Sequence, residues 1–342
     1  MEESDVLLKD SHDTEKVISV EDLCAYYLTS KGTIEAVNEV SFSMHKGEKL
    51  GVVGESGSGK STLGMAIMRL VPKPGKIVRG KILYRGQNIL EYDDERLREL
   101  RGAKIAMVPQ ASMNAFNPLV RVGDQIAETI RIHKNVKKTE ARLIVADLFG
   151  FVGIDRLRIG DYPHEFSGGM RQRAMIAMML ACKPELLILD EPTTASDVIS
   201  QARLLSFISK LADDENMSIM LISHDLSVVA DLCGTLLVMY GGKVMEYGEL
   251  RQMIAMPLHP YTKAMVKAFP TIDGDEMTYD SIPGSPPDLY NPPSGCIFHP
   301  RCRYAEDLCR METPKLVKVE IDRSIDDRLV ACHLIERMIK QA

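Results

Sequence analysis

An α/β fold with a mostly parallel sheet, carrying a small irregular module after it, is what this 342-residue sequence predicts. Three observations predict it. Gly54-Glu55-Ser56-Gly57-Ser58-Gly59-Lys60-Ser61-Thr62 follows the apolar run Leu50–Val53 and opens an amphipathic segment through Leu70, which is a P-loop between strand and helix. Leu186–Leu189 and Ser218–Ile222 are continuous apolar runs of the kind buried on both faces of a sheet. Beyond Met256, Pro257, Pro260, Pro270, Pro283, Pro286, Pro287, Pro292 and Pro293 make long regular elements improbable, and a cysteine cluster follows.

Residues 1–16 are a polar tail. Val17–Val20 and Ile34–Met44 are strand material, with alternation in Val40–Met44 before the turn His45-Lys46-Gly47, so an antiparallel β region precedes the P-loop. Ile77–Tyr84 is a strand candidate bounded by glycines, and Glu95–Arg101 is charged and helical. Gly123–Gly150 and Gly168–Cys182 have helical periodicity, which places a helical subdomain at about 111–182 inside a nucleotide-binding core of 17–256. Leu236–Tyr240, Gly241-Gly242 and Lys243–Glu246 form a hairpin pattern. Residues 257–342 form the C-terminal extension.

Composition narrows the class. A net charge of −6 with both signs interspersed argues against a nucleic-acid partner. The start, Met1-Glu2-Glu3-Ser4-Asp5, is acidic where a secretory signal needs basic then apolar residues, and the longest apolar helical stretch, Ala174–Cys182, is far short of a bilayer span. The expectation is a cytosolic chain whose membrane role, if any, runs through a partner.

The P-loop's chemistry dictates its spacing. Backbone N–H groups wrapping a polyphosphate need residues without a Cβ at Gly54, Gly57 and Gly59, and the helix starting at Lys60 reinforces anion binding. Lys60 can place its ammonium against the β- and γ-phosphates, and Ser61 can ligand the bridging Mg²⁺. Asp190 and Glu191 end the buried strand, where adjacent carboxylates are costly unless directed at a metal or a reacting water. Asp190 is suited to holding Mg²⁺ and Glu191 to deprotonating the water. His224 closes the next apolar run, from which an imidazole can touch a γ-phosphate. Gln110 carries an amide able to ligand Mg²⁺ or the attacking water. Ser167, Gly168, Gly169 and Met170 open a helix and form a second anion site, or, read alone, a plain helix cap. Two phosphate-binding ends in one chain suggest two chains arranged head to tail.

Together, Gly54–Thr62, Gln110, Ser167–Met170, Leu186–Glu191, Asp197 and His224 resemble the ATP-binding cassette of ABC transporters. The resemblance implies an ABC-type P-loop ATPase fold: a mixed sheet core, an antiparallel β subdomain and a helical subdomain. It also implies that Ser167, Gly168, Gly169 and Met170 bind ATP held by a second ATPase subunit, and that Tyr27, with Tyr26 the competing choice, stacks on adenine. The catalytic set is then Glu191, His224, Lys60 and Gln110, with Ser61, Gln110 and Asp190 toward Mg²⁺. Ser196 stands where the family usually has leucine, which bears on dimer packing around Asp197. Pro257–Thr262, Gly295-Cys296 and Pro300–Ala305 are similar to the C-terminal extension of dipeptide and oligopeptide importer ATPases. That likeness implies two permease subunits, an extracytoplasmic solute-binding protein and a peripheral place at the cytoplasmic membrane face. Importers of nickel or short oligosaccharides, and soluble ABC ATPases acting on DNA or ribosomes, are the alternative readings.

Cys296, Cys302, Cys309 and Cys332 lack the paired hairpin spacing of common zinc sites, so spacing alone leaves a metal site or buried apolar cysteines. The resemblance implies a [4Fe-4S] cluster on these four, with zinc as the alternative for four thiolates.

Overall fold

The computed structural model describes residues 15–110, 115–192, 198–268, 282–319 and 328–341. The chain divides into two compact units, 1–45, 49–90 and 223–342 in the first and 46–48 and 91–222 in the second.

The first unit begins with two long strands, β1 (Lys16–Thr29) and β2 (Gly32–His45), followed by β3 (Lys49–Val53), α1 (Lys60–Ile67), β4 (Gly75–Tyr84) and the short β5 (Gln87–Asn88). A four-stranded sheet runs β2-β1-β4-β5 with antiparallel neighbours. β2 matches the run Ile34–Met44 closely, whereas β1 extends well past Val17–Val20 because it shifts register between Val20 and Leu23 and again before Ala25 and Tyr27. Irregularities of this kind break the period-2 alternation by which a strand is recognised.

The same unit resumes with α7 (Leu226–Leu232), β9 (Thr235–Tyr240), β10 (Lys243–Glu249), α8 (Leu250–Ala255) and α9 (Pro260–Ala268). β3 lies parallel to β9, Val53 beside Val238, and the expected hairpin forms with Tyr240 opposite Lys243. The tail adds α10 (Asp307–Met311), β11 (Val317–Val319), β12 (Arg328–Val330) and α11 (His333–Gln341). Its β12 pairs antiparallel with β10, Val330 opposite Glu246, so residues beyond 256 extend the sheet that carries the P-loop strand.

A buried ion pair fastens this junction. Glu246 is fully buried and accepts from the Leu258 N–H (3.1 Å), the His259 N–H (3.0 Å) and Arg328 Nε (2.9 Å), while Arg328 Nη2 also donates to the Met256 carbonyl (2.6 Å). Several donors converge on one carboxylate, the arrangement a charge needs once water is gone.

The second unit holds α2 (Asp94–Leu100), β6 (Ile105–Val108), α3 (Val122–His133), α4 (Lys138–Phe151), α5 (Gly168–Leu180), β7 (Leu186–Asp190), α6 (Val198–Glu215) and β8 (Ser218–Ser223). β6, β7 and β8 are parallel, Val108 beside Leu189 and Leu189 beside Leu221. Every residue of β7 and β8 is buried, as their unbroken apolar runs require. Among the described residues no helix is long and apolar enough to cross a membrane.

Candidate functional site

In the first unit the P-loop joins β3 to α1. Gly54 and Gly59 have φ of 155° and 99°, and a Cβ at either would lie 2.1 Å from the Met239 carbonyl oxygen or 1.9 Å from that of Ala36. These two glycines are therefore required by the protein's own packing. Gly57, at φ 79°, meets nothing within 4 Å, so its requirement is the backbone conformation alone.

Lys60, the first residue of α1, is 6% exposed, and its ammonium donates to the Gly54 carbonyl (2.7 Å), the Glu55 carbonyl (2.9 Å) and Ser58 Oγ (3.4 Å). The Ser58 N–H donates to the Glu55 carbonyl at 3.1 Å, and the Gly242 N–H donates to the Ser58 carbonyl at 3.0 Å, tying the loop to the β9–β10 turn. Ser61 and the buried Thr62 come next on the helix. Tyr27, on β1, puts its hydroxyl 3.4 Å from Thr62 Oγ1, while the Tyr26 hydroxyl donates to Asn38 Oδ1 at 3.1 Å. His224 is exposed in the turn between β8 and α7, where Asp225 caps α7 by accepting from the Ser227 N–H.

In the second unit the register of β6 against β7 aligns the residues just past the two strand ends. Val108 pairs with Leu189, so Gln110 and Glu191 emerge side by side, and Gln110 Nε2 donates to the Glu191 carboxylate at 2.7 Å. Glu191 has φ 46°, a left-handed conformation uncommon for this residue type, and its N–H is held by the Ile222 carbonyl at 2.9 Å. Asp190 is buried at the end of β7. Ser167 is the N-cap of α5, its Oγ accepting from the Met170 N–H at 3.3 Å and its carbonyl from the Arg171 N–H at 2.9 Å. Gly168, Gly169 and Met170 form the first turn, as their sequence predicts. Arg171 anchors the preceding segment by donating to the Pro163 and Phe166 carbonyls. Ser196 and Asp197 lie outside the described residues.

The tail brings Cys296, Cys302, Cys309 and Cys332 around one cavity of about 20 Å³, which His259, His299 and His333 also line. All four are free thiols. Burial pushes the Cys296 thiol up to about 11 and raises those of Cys302 and Cys332. The expected iron–sulfur centre gains no support from this geometry: among the described residues no group of three or more His, Cys, Asp or Glu is disposed to hold one metal ion. The donor set has the right chemistry, but the thiols enclose room for about one water.

Sequence reasoning included Glu55 only as a loop residue. It missed that the Glu55 N–H donates to the Tyr261 hydroxyl (2.9 Å) and that its carboxylate receives both terminal nitrogens of Arg301 (2.7 and 3.0 Å). Separations of 206 and 246 residues leave no local signal for either contact.

Comparison with known proteins agrees with this geometry. The ABC transporter family matches residues 37–194, and the oligopeptide/dipeptide transporter C-terminal region matches residues 245–309. The chain is 43% identical over 318 residues to the oligopeptide transport ATP-binding protein OppD of Escherichia coli, covering 92% of each chain. It is 41% identical to the dipeptide transport ATP-binding protein DppD of the same organism, covering 93% of this chain and 96% of that protein. DppD of Bacillus subtilis is 44% identical over 291 residues, covering 84% of this chain and 87% of that protein. Among solved structures, a dimeric ATP-binding cassette bound to ADP and phosphate shares the fold (TM-score 0.63, 24% identity, 68% of this chain and 99% of that one). Another is cbiO1 of Clostridium perfringens, part of an ABC transporter complex (TM-score 0.60, 26% identity, 71% of this chain and 92% of that one). With its P-loop, its capped α5 and a tail built onto the P-loop sheet, this chain belongs to the ABC transporter ATPases, in the family of oligopeptide and dipeptide transport ATP-binding proteins.

Proposed function

We propose that this chain is the ATP-hydrolysing subunit of an importer of dipeptides or oligopeptides. It works at the cytoplasmic membrane face with a second ATPase subunit, two permease subunits and an extracytoplasmic solute-binding protein. The observation that carries the reading is the near-full-length likeness to peptide transport ATP-binding proteins, tail included.

In this reading the P-loop amides and Lys60 hold the β- and γ-phosphates, and Ser61, Gln110 and Asp190 hold Mg²⁺. Glu191 takes the proton of the attacking water, Gln110 orients both, and His224 contacts the γ-phosphate. The turn Ser167-Gly168-Gly169-Met170 closes on ATP held by the partner subunit. Tyr27 is favoured over Tyr26 for the adenine because its hydroxyl leans on the P-loop helix, whereas that of Tyr26 is engaged by Asn38. The test is ATP hydrolysis by the chain reconstituted with its permeases and binding protein in lipid vesicles. Hydrolysis is expected to rise when an oligopeptide is supplied to the binding protein, and hydrolysis indifferent to peptide would sink the importer assignment.

We further propose that Cys296, Cys302, Cys309 and Cys332 hold a [4Fe-4S] cluster, with zinc as the alternative. What supports this is the all-thiol donor set of four cysteines lining one cavity, which would have to widen around the cluster. Such a group would cross-link a proline-rich segment that lacks a large core of its own. Anaerobically purified chain is expected to carry about four irons and four sulfides. Stoichiometric zinc would replace the cluster by a structural zinc site, and no metal would return these cysteines to packing.

A further inference from the structure

Glu55 is gripped from two sides by the segment beyond residue 256. Its N–H ends on the Tyr261 hydroxyl, and its carboxylate receives a two-pronged ion pair from Arg301. The Arg301 side chain is only 6% exposed. Its other contacts are equally specific: Nε donates to the Pro283 carbonyl (2.7 Å), and the terminal nitrogens also reach Tyr240 Oη (3.1 Å) and the Ile282 carbonyl (3.2 Å). A guanidinium so enclosed cannot swing away without stranding several donors.

Tyr261 is held as firmly. It is fully buried, its ring packs 4.7 Å from Tyr240 and 5.3 Å from Phe298 between centroids, and its N–H donates to His259 Nδ1 at 3.0 Å. That contact makes Nδ1 the acceptor of the imidazole and ties the ring to the first turn of α9. The carbonyl of Glu55 in turn accepts from Lys60 and from the Ser58 N–H. A fixed frame in the tail therefore meets the very peptide units that shape the P-loop.

We propose that Arg301 and Tyr261 are positioning residues for the P-loop, through which the tail sets the affinity for the nucleotide polyphosphate. The inference rests on the reading of this loop as the ATP site. Arg301 ends a single 3₁₀ turn, His299–Arg301, placed between Cys296 and Cys302, so whatever orders the cysteine-bearing segment also orders the arginine. The fork geometry matters beyond the charge, because a lysine can supply only a point contact.

The experiment is titration calorimetry of Mg·ATP into the purified full chain, with thermal melting run alongside. Arg301→Met is expected to weaken binding about tenfold, as for loss of a charge-assisted pair, and Arg301→Lys to recover only part of that. Arg337→Met removes the exposed pair with Glu306 elsewhere in the tail and is expected to bind as the parent does. Glu55→Ala combined with Arg301→Met should bind no more weakly than Arg301→Met alone. Tyr261→Phe removes the acceptor with little change of shape and serves if Arg301→Met does not fold. Parent-like affinity in a folded Arg301→Met or Tyr261→Phe chain, or additive effects in the double variant, would overturn the proposal. A parent chain that bound no ATP would overturn the ATP-site reading first, and this inference with it.

Discussion

Glu191→Gln is expected to leave ATP binding intact while slowing hydrolysis by about a thousandfold, the range over which a general base acts. The substitution keeps the shape and a hydrogen bond with Gln110, now 2.7 Å from the carboxylate, but removes the carboxylate to which the proposed mechanism assigns the proton. Steady-state hydrolysis and ATP titration on the same preparation separate the two effects. Hydrolysis at the parent rate would sink the role given to Glu191. The neighbouring Asp190, buried at the end of β7, cannot substitute as the base in this reading, because it is assigned to the metal. Lost binding in Glu191→Gln would mean instead that the carboxylate holds the nucleotide.

The largest stability effect is expected at Glu246. Glu246→Ala strands the Arg328 guanidinium, 1% exposed, and frees the N–H groups of Leu258 and His259 from their shared acceptor. Breaking one side of a buried pair costs about 3–5 kcal/mol, which for a chain of this size is a fall of about 10 °C in melting temperature. Glu246→Ala with Arg328→Met should be less damaging than Glu246→Ala alone, because no buried charge is left unpaired. A melting temperature unchanged in Glu246→Ala would show that the pair does not fasten the tail.

The parts of the fold that could be read in sequence are those whose cause is local. The P-loop, the buried runs of β7 and β8 and the Gly241-Gly242 hairpin each owe their form to neighbours within a few residues. Ser167 could be read as a helix cap for the same reason, and α5 begins immediately after it. β1 was only partly legible, as Val17–Val20, because positive φ at Asp22 interrupts its alternation, whereas β2 was legible almost end to end as Ile34–Met44. The helical stretch Gly123–Gly150 hides a break at 134–137, where α3 ends and α4 begins without a proline or a side-chain cap to mark it. The Gln110–Glu191 contact needs the β6–β7 register, and the grip on Glu55 needs the tail folded onto the first unit's sheet; neither has a signature along the chain.

Two ion pairs divide their charges across residue 256 in the same sense: Glu55 and Glu246 before it, Arg301 and Arg328 after it. The tail is therefore not a freely exchangeable accessory. A chimera that joined residues 17–256 to a foreign extension would inherit two carboxylates whose counter-charges stayed behind, one of them fully buried and the other on the P-loop. The two stretches of sequence must diverge together, with each arginine constrained by a glutamate more than eighty residues away.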